Sequence, residues 1–378
     1  MSELFYRCLY RSIHCHFRTP LLVLLTLTAH ALAQVDEVSE SEVRVYENQF
    51  NPIENPQPIL GDYPEFVQPV VETRRFEAPM LVKDVDADLE VRAWRFSYNA
   101  RGIIEMPNRL RAKQTAVVVV HPWGIDDGQG WRTPEPAGAA DFCTPEKNEL
   151  AGRHLRKIVD PLLTRLRPHV ALVMYSLRGK EYPVHRQAYR SMTNNPTAAE
   201  KTAGREKMRQ ILNRFDYQGK ALPRELKLSS DLPVVDYFRQ FPGLQADARS
   251  NHAGFWDLPI PVNSAITMHD DDVVVYDQQG YHALRTFLKQ NGVRHVLLTG
   301  YATDMCFCET TAGYKNLSQD FNVFLVGDAT LATFPANMTP SYATNAHISF
   351  ASLDQLVTQV SWIRLTDKNG SGHPDLTD

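Results

Sequence analysis

The chain has 378 residues, 43% apolar and 22% charged, with 40 Lys and Arg against 44 Asp and Glu for a formal charge of −4. That is an ordinary globular composition, long enough for one large domain with extensions or for two domains. With a pI near 6.4 it lacks the basic face a nucleic-acid binder needs, so no nucleic-acid partner is expected.

At the N-terminus Arg7, Arg11 and Arg18 precede the apolar run Leu21 to Leu27, and Ala31-Leu-Ala-Gln follows. A basic stretch, a short apolar stretch and a small-x-small cleavage pattern together read as a secretory signal peptide over 1–33. An uncleaved anchor or a mis-assigned start codon stays open. The run is too short to cross a bilayer well, and no later run is long enough, so no membrane span is expected. An exported protein, periplasmic or secreted, is. Of the five cysteines, Cys8 and Cys15 would leave with the leader. Cys143, Cys306 and Cys308 remain, an odd number that leaves at least one free thiol and too few for a disulfide scaffold.

Residues 34–75 are rich in Glu, Pro, Asn and Val without helical period and read as a tether or a loosely packed arm. Residues 89–100 alternate apolar and polar, a half-buried strand. Together 34–112 form an N-terminal extension with at least one strand. Val117 to Val120 is a continuous β-branched run, the mark of a strand covered on both faces. Thr144-Pro145 starts a helix. Leu155, Ile158, Val159, Leu162, Leu163 and Leu166 continue it at helical spacing, and Pro161 should kink it. Further strands fall at 170–175, 273–275, 295–299 and 323–326. Between them lie a short helix carrying Leu284, Phe287 and Leu288, stopped by Asn291-Gly292, and a helix over 305–317. Strands alternating with helices imply right-handed crossovers, a mostly parallel sheet, and ligands beyond the carboxyl ends of its strands. The domain spans 113–365, followed by a tail at 366–378. Residues 178–262, with many prolines and a charged helix over 197–213, interrupt the rhythm. They form a lid over the sheet's edge, or else a structural flap or oligomer contact.

The segment Gly300-Tyr-Ala-Thr303-Asp304-Met-Cys306-Phe-Cys308-Glu309-Thr puts Cys306 just past a strand, in the first turn of a helix. Unpaired N–H groups and the helix dipole there favour thiolate, the nucleophilic form, and the same N–H groups suit an oxyanion. A structural cysteine is the plainer alternative. Cys308, two residues on, faces away and reads as a small core residue.

The run Gly300-x-x-Thr303-Asp304-x-Cys306, its approach strand Gly292 to Gly300, the preceding Asp271-Asp-Val-Val-Val and the following Phe321-Asn-Val-Phe-Leu-Val-Gly327-Asp328-Ala329 resemble the isochorismatase-like cysteine hydrolases. The resemblance covers roughly 115–175 and 250–350. It implies a three-layer α/β/α fold with a mostly parallel six-stranded sheet. It also implies hydrolysis of a small amide, imine-like or vinyl-ether bond through a Cys-Asp-Lys triad. Two positions depart from it. His121, in Val120-His121-Pro122-Trp123-Gly124, stands where the acid belongs, and Tyr276-Asp277-Gln278-Gln279 has no lysine. Gln278 matches the lysine by count and Tyr276 by strand end, but neither carries a fixed positive charge.

A histidine beside a cysteine is nonetheless a competent base. His121 would then need an orienting partner, for which Asp127, in Gly124-Ile-Asp126-Asp127-Gly128, is the candidate. As alternatives His121 is a satisfied core group and Asp126-Asp127 a turn former. Trp123 and Trp131 wall a pocket or pack the loop. The expected catalytic residues are Cys306, His121 and Asp127. Trp123, Tyr276, Gln278 and Thr303 would touch substrate, with N–H groups near Thr303 and Cys306 holding the oxyanion. The nicotinamidases among the relatives bind a metal through an Asp-x-His pair. None follows the first strand, and His269-Asp270-Asp271-Asp272 reads as a solvated turn, so neither metal nor cofactor is expected. The partner is a small-molecule substrate, and a homo-oligomer is left open. A ligand-binding, non-hydrolytic descendant is the alternative function. Thiol redox work would need Cys143 as a resolving cysteine.

Overall fold

Val117 to Val120 are wholly buried because the strand that carries them sits in the middle of a sheet with a helix layer on each face. In the computed structural model this strand is β5 (Thr115–Val120). It pairs in parallel with β6 (Leu172–Leu177) on one side and β8 (His295–Tyr301) on the other. β7 (Val273–Tyr276) adds in parallel to β6, and β9 (Asn322–Leu331) to β8. The structure describes residues 45–60, 62–67, 69–97, 99–129, 131–134, 145–219, 231, 253–303, 305–332 and 359–365, the last as backbone. The chain divides into two compact units, Met1–Val45 and Tyr46–Asp378. The signal-like segment, Cys143, Asp304, the 366–378 tail and much of the 178–262 insertion lie outside the described residues.

Period-two alternation assigns side chains to two cores. Val117 and Val119 share one with Leu150, Leu155, Val159, Leu163 and Leu166. These come from α1 (Pro145–His154), α2 (Asp160–Leu166) and the turn between them. From the insertion, α3 (Pro183–Ala188) and α4 (Ala198–Asn213) join the same layer through Val184, Ala188, Met208 and Leu212. Ala116, Val118 and Val120 face the other core with Leu284, Leu288, Phe307 and Leu317. Those residues belong to α5 (Tyr281–Gln290), α6 (Cys306–Glu309) and α7 (Tyr314–Leu317). The fold is therefore three-layered α/β/α.

The sheet is larger than the expected six strands. Among the described residues it has ten, and four of the five far strands come from the N-terminal segment. β1 (Asn51–Pro52), β2 (Arg75–Glu77), β3 (Leu89–Ser97) and β4 (Gly102–Leu110) join it in the order β1-β2-β4-β3-β10-β9-β8-β5-β6-β7. β10 (Gln359–Leu365) runs antiparallel to β3 and touches β9 in parallel at Gln359 and Val360. The arm expected to pack loosely is in part core: Ile59, Leu60, Phe66 and Val67 are buried. Burying such side chains contributes roughly 1.5–3 kcal/mol each, whatever their spacing. Glu105 on β4 is buried between Arg75 and Arg92, so the added strands are tied by a charge that has a partner on both sides.

Two helices differ from expectation. Pro161 falls where the helix changes type. A π-helical turn over Leu155–Val159 precedes α2 and places the proline in the first turn of α2, where its missing N–H costs nothing. The helix expected over 305–317 is two single turns. Thr310 to Gly313 separates them, closed by the Gly313 N–H donating to Thr310 O.

Candidate active site

The carboxyl ends of β5, β7 and β8 bring three residues together. His121 follows Val120 and lies in the left-handed region at φ 47°. A non-glycine residue held there costs roughly 1–3 kcal/mol and is typical of functional sites. Its N–H donates to Ser176 O at 3.0 Å, which ties the turn to β6. The ring is buried. Its Nε2 lies 3.2 Å from Asp277 Oδ2, a carboxylate just beyond β7. The second nitrogen, Nδ1, is buried and has no hydrogen-bond partner among the described residues.

The Cys306 thiol is the third member, close enough to His121 to influence its charge. Burial alone would lower the pKa of His121. The hydrogen bond to Asp277, followed by the effect of Cys306, overrides it and raises the value from the usual 6.5 to about 9. With a pKa of about 9 the ring is an imidazolium at neutral pH, set between Asp277 and Cys306.

Cys306 is partly exposed and opens α6. Its own N–H has no partner among the described residues, while the N–H groups of Met305 and Phe307 both donate to Ala302 O. With only one turn behind it, α6 supplies an unpaired N–H but little macrodipole. The sharp turn into the cysteine depends on Gly300 at φ +101°, where a Cβ would stand 2.2 Å from Val120 O. Cys308 is buried and its Sγ donates to Thr303 O at 3.3 Å, in keeping with a core residue.

Several expected residues lie elsewhere or act differently. Asp127 does not orient His121. Its carboxylate accepts from the backbone N–H groups of Gln129 and Ser264, at 3.1 and 2.9 Å, so it staples its loop. Asp126 is likewise engaged by Thr133 and by Asn148, the latter at 2.7 Å. Thr303 is buried and its N–H is taken by Leu331 O, which removes it as an oxyanion donor. Tyr276 is buried, stacked on His185 with ring centroids 5.1 Å apart, and cannot meet a substrate. Gln278 is exposed, and its N–H donates to Gly179 O at 2.9 Å. The 269–272 turn is not wholly solvated. Asp272 is buried and held by Arg167 and by the Tyr175 hydroxyl at 2.9 Å.

Trp123 does line the site. It stacks on His121 at 4.9 Å and 26° and meets Trp256 at 5.0 Å. Trp131 is instead buried against Phe255. The residue that sequence reasoning missed is Asp277. It stood in the stretch searched for a lysine, and its signal was a carboxylate at a strand's carboxyl end. A buried network backs the elbow: Tyr301 Oη lies 2.7 Å from His154 Nδ1, and His154 Nε2 lies 2.7 Å from Asp328 O. Burial, only partly opposed by that backbone hydrogen bond, lowers His154 to about 4. Burial and then Asp62 raise Asp328 to about 7.

Among the described residues no three His, Cys, Asp or Glu side chains are grouped to hold a metal, and no helix is long and apolar enough to cross a membrane. A cavity of about 690 Å³ opens at the opposite, amino edge of the sheet, beside Arg294 and Asn322. Its charges are already paired: Lys289 with Asp320, and Arg294 with Asp84.

Neither a family model nor a curated protein matches the chain. Solved structures do, among them three of 18% identity or less. A cysteine hydrolase from Pseudomonas syringae pv. phaseolicola 1448A is 18% identical over 65% of this chain and 87% of its own, with a TM-score of 0.31. An isochorismatase-like hydrolase from Alkaliphilus metalliredigens is 14% identical over 63% of this chain and 92% of its own, at 0.29. The nicotinamidase of Bacillus subtilis is 12% identical over 65% and 98%, also at 0.29. These structures carry the family names that the Gly300 to Cys306 segment resembles. At such scores the chemistry has to be argued from the site's own geometry.

Proposed function

We propose that the protein is a cysteine hydrolase of small amide or related acyl bonds, using Cys306 as nucleophile, His121 as acid and base, and Asp277 as the group that orients and charges His121. One observation carries this: a buried histidine at a strained strand end, held by a carboxylate at 3.2 Å and acting on a cysteine at a strand-to-helix elbow. That is the nucleophile, base and orienting-acid arrangement of covalent acyl transfer, here with the acid and base positions filled by residues other than the family's.

In the first half-reaction the Cys306 thiolate attacks the carbonyl carbon, and the C=O electrons move onto oxygen. The Cys306 N–H, which has no partner among the described residues, donates to that oxyanion. As the C–N bond breaks, the His121 imidazolium gives its proton to the departing amine. In the second, neutral His121 takes a proton from water, the hydroxide attacks the thioester, and the thiolate leaves with the imidazolium restored. Trp123 walls the pocket, and no metal or cofactor takes part. Export is proposed from the signal-like segment, with N-terminal mass spectrometry of secreted protein expected to find a chain starting near Gln34.

The test is iodoacetamide labelling of Cys306 against pH, read by mass spectrometry with Cys306→Ala as control. Fast labelling at pH 6, below the range of an ordinary thiol near 8.5, is expected, followed by turnover in an amide and ester screen. Labelling only above pH 8, or none in the folded protein, overturns the hydrolase in favour of a ligand-binding descendant.

A further inference from the structure

The aromatic wall of the site does not end at Trp123. Trp256, contributed by the insertion, packs against it at 5.0 Å, and the Arg178 guanidinium lies over the Trp256 ring at 4.6 Å. Arg178 follows β6 directly. Its neighbour Gly179 accepts the Gln278 N–H at 2.9 Å, so the arginine stands at the same sheet edge as Asp277, between the strand ends that carry His121 and Asp277.

Arg178 is exposed, and among the described residues it forms no ion pair and no hydrogen bond. Of the neighbouring cations, Arg186 is 3.8 Å from Glu181, while Lys180 lies over Tyr182 and, as an ammonium, lacks the planar fork of a guanidinium. A guanidinium stacked on an indole keeps its plane fixed and its N–H edge open, which is the geometry that grips a carboxylate with two parallel hydrogen bonds. Stacking also reduces the side-chain freedom that a carboxylate would otherwise have to freeze.

We propose that Arg178 is a substrate-binding residue, and that the substrate is a small acyl compound bearing a carboxylate. Arg178 anchors that carboxylate, and the Trp123–Trp256 wall spans the gap to Cys306. This rests on the hydrolase reading only for where the scissile bond lies. The positive charge that the strand end after β7 lacks is thus supplied from the neighbouring strand, where it meets substrate and not the nucleophile.

The test is calorimetric titration of the full chain carrying Cys306→Ala, so that chemistry cannot interfere. The probes are N-acetylglycine and hippurate, each against its neutral primary amide. Saturable binding is expected for the carboxylates, about tenfold or more tighter than for their amides. Arg178→Gln should abolish that difference and Arg178→Lys should keep part of it, both with unchanged melting temperature. Equal binding of acid and amide, indifference to Arg178→Gln, or saturation by none of the four probes would sink the proposal. Carboxylate selectivity without an activated Cys306 would leave this site standing and remove the hydrolase. Amide turnover indifferent to Arg178 would do the reverse.

Discussion

Replacing Asp277 by Asn removes one negative charge while keeping the shape of the side chain and the backbone carbonyl that accepts the Thr311 hydroxyl at 2.5 Å. The carboxylate sits 3.2 Å from His121 Nε2, with the ring 2% and the acid 23% exposed. At that separation two charges interact by about 5 kcal/mol for a near-surface dielectric. The rise of His121 from 6.5 to about 9 corresponds to about 3 kcal/mol, net of the burial that opposes it and with Cys306 sharing in it. Losing Asp277 should therefore lower the His121 pKa by about 1–3 units. The imidazolium is then lost at lower pH, so iodoacetamide labelling of Cys306 at pH 8 should slow by about twofold or more relative to wild type. The assay is the labelling rate of Cys306 from pH 5 to 10 for wild type, Asp277→Asn and Asp127→Asn. The last is the internal control, since Asp127 holds only its loop. An Asp277→Asn profile that overlays wild type, or an Asp127→Asn profile displaced as far, would refute the assignment of Asp277.

The same ring links stability to pH. Because its folded pKa of about 9 lies above the usual 6.5, its contribution is complete below pH 6.5 and disappears as pH rises through about 9. Wild type should therefore exceed His121→Gln by about 3 kcal/mol more at pH 6 than at pH 10, measured by denaturant titration at both pH values, and a pH-independent difference would contradict this. Gly300→Ala should cost more than about 2 kcal/mol, because the new methyl meets Val120 O at 2.2 Å in a backbone conformation of φ +101°. A melting temperature within a degree of wild type would show that the elbow is not under this constraint.

Local pattern accounts for much of the fold. A continuous β-branched run such as Val117 to Val120 can be buried only with cover on both faces, so the parallel core followed from it. A cysteine directly after a strand, ahead of a helical turn, is at the sheet's carboxyl edge wherever that sheet lies. That short-range logic placed Cys306, His121 and Trp123 in one neighbourhood. It failed where short-range pattern was weak. The residues around Ile59 and Phe66 have no periodicity, yet they are buried. The helix after Cys306 breaks because Thr310 to Gly313 must turn back on the elbow, something propensity does not encode.

Which carboxylate serves His121 was decided by tertiary structure alone. Asp127 is six residues away in sequence and Asp277 is 156 away. Proximity in the chain favoured the first, but strand register delivered the second. β7 reaches the site by pairing with β6, which pairs with β5, and the register of those two ladders sets Tyr276 level with the residue after Val120, so that Asp277, one residue further, comes within 3.2 Å of the His121 ring. The same holds for Trp256 and Arg178, which meet only because the insertion returns over the end of β6. The sequence by itself determined which strands are buried and where the nucleophile sits, since those follow from neighbours a few residues apart. Only the tertiary structure determined the acid, the extension of the sheet by distant strands to ten among the described residues, and the cation at the rim, because each depends on contacts between segments whose separation in sequence carries no local signal.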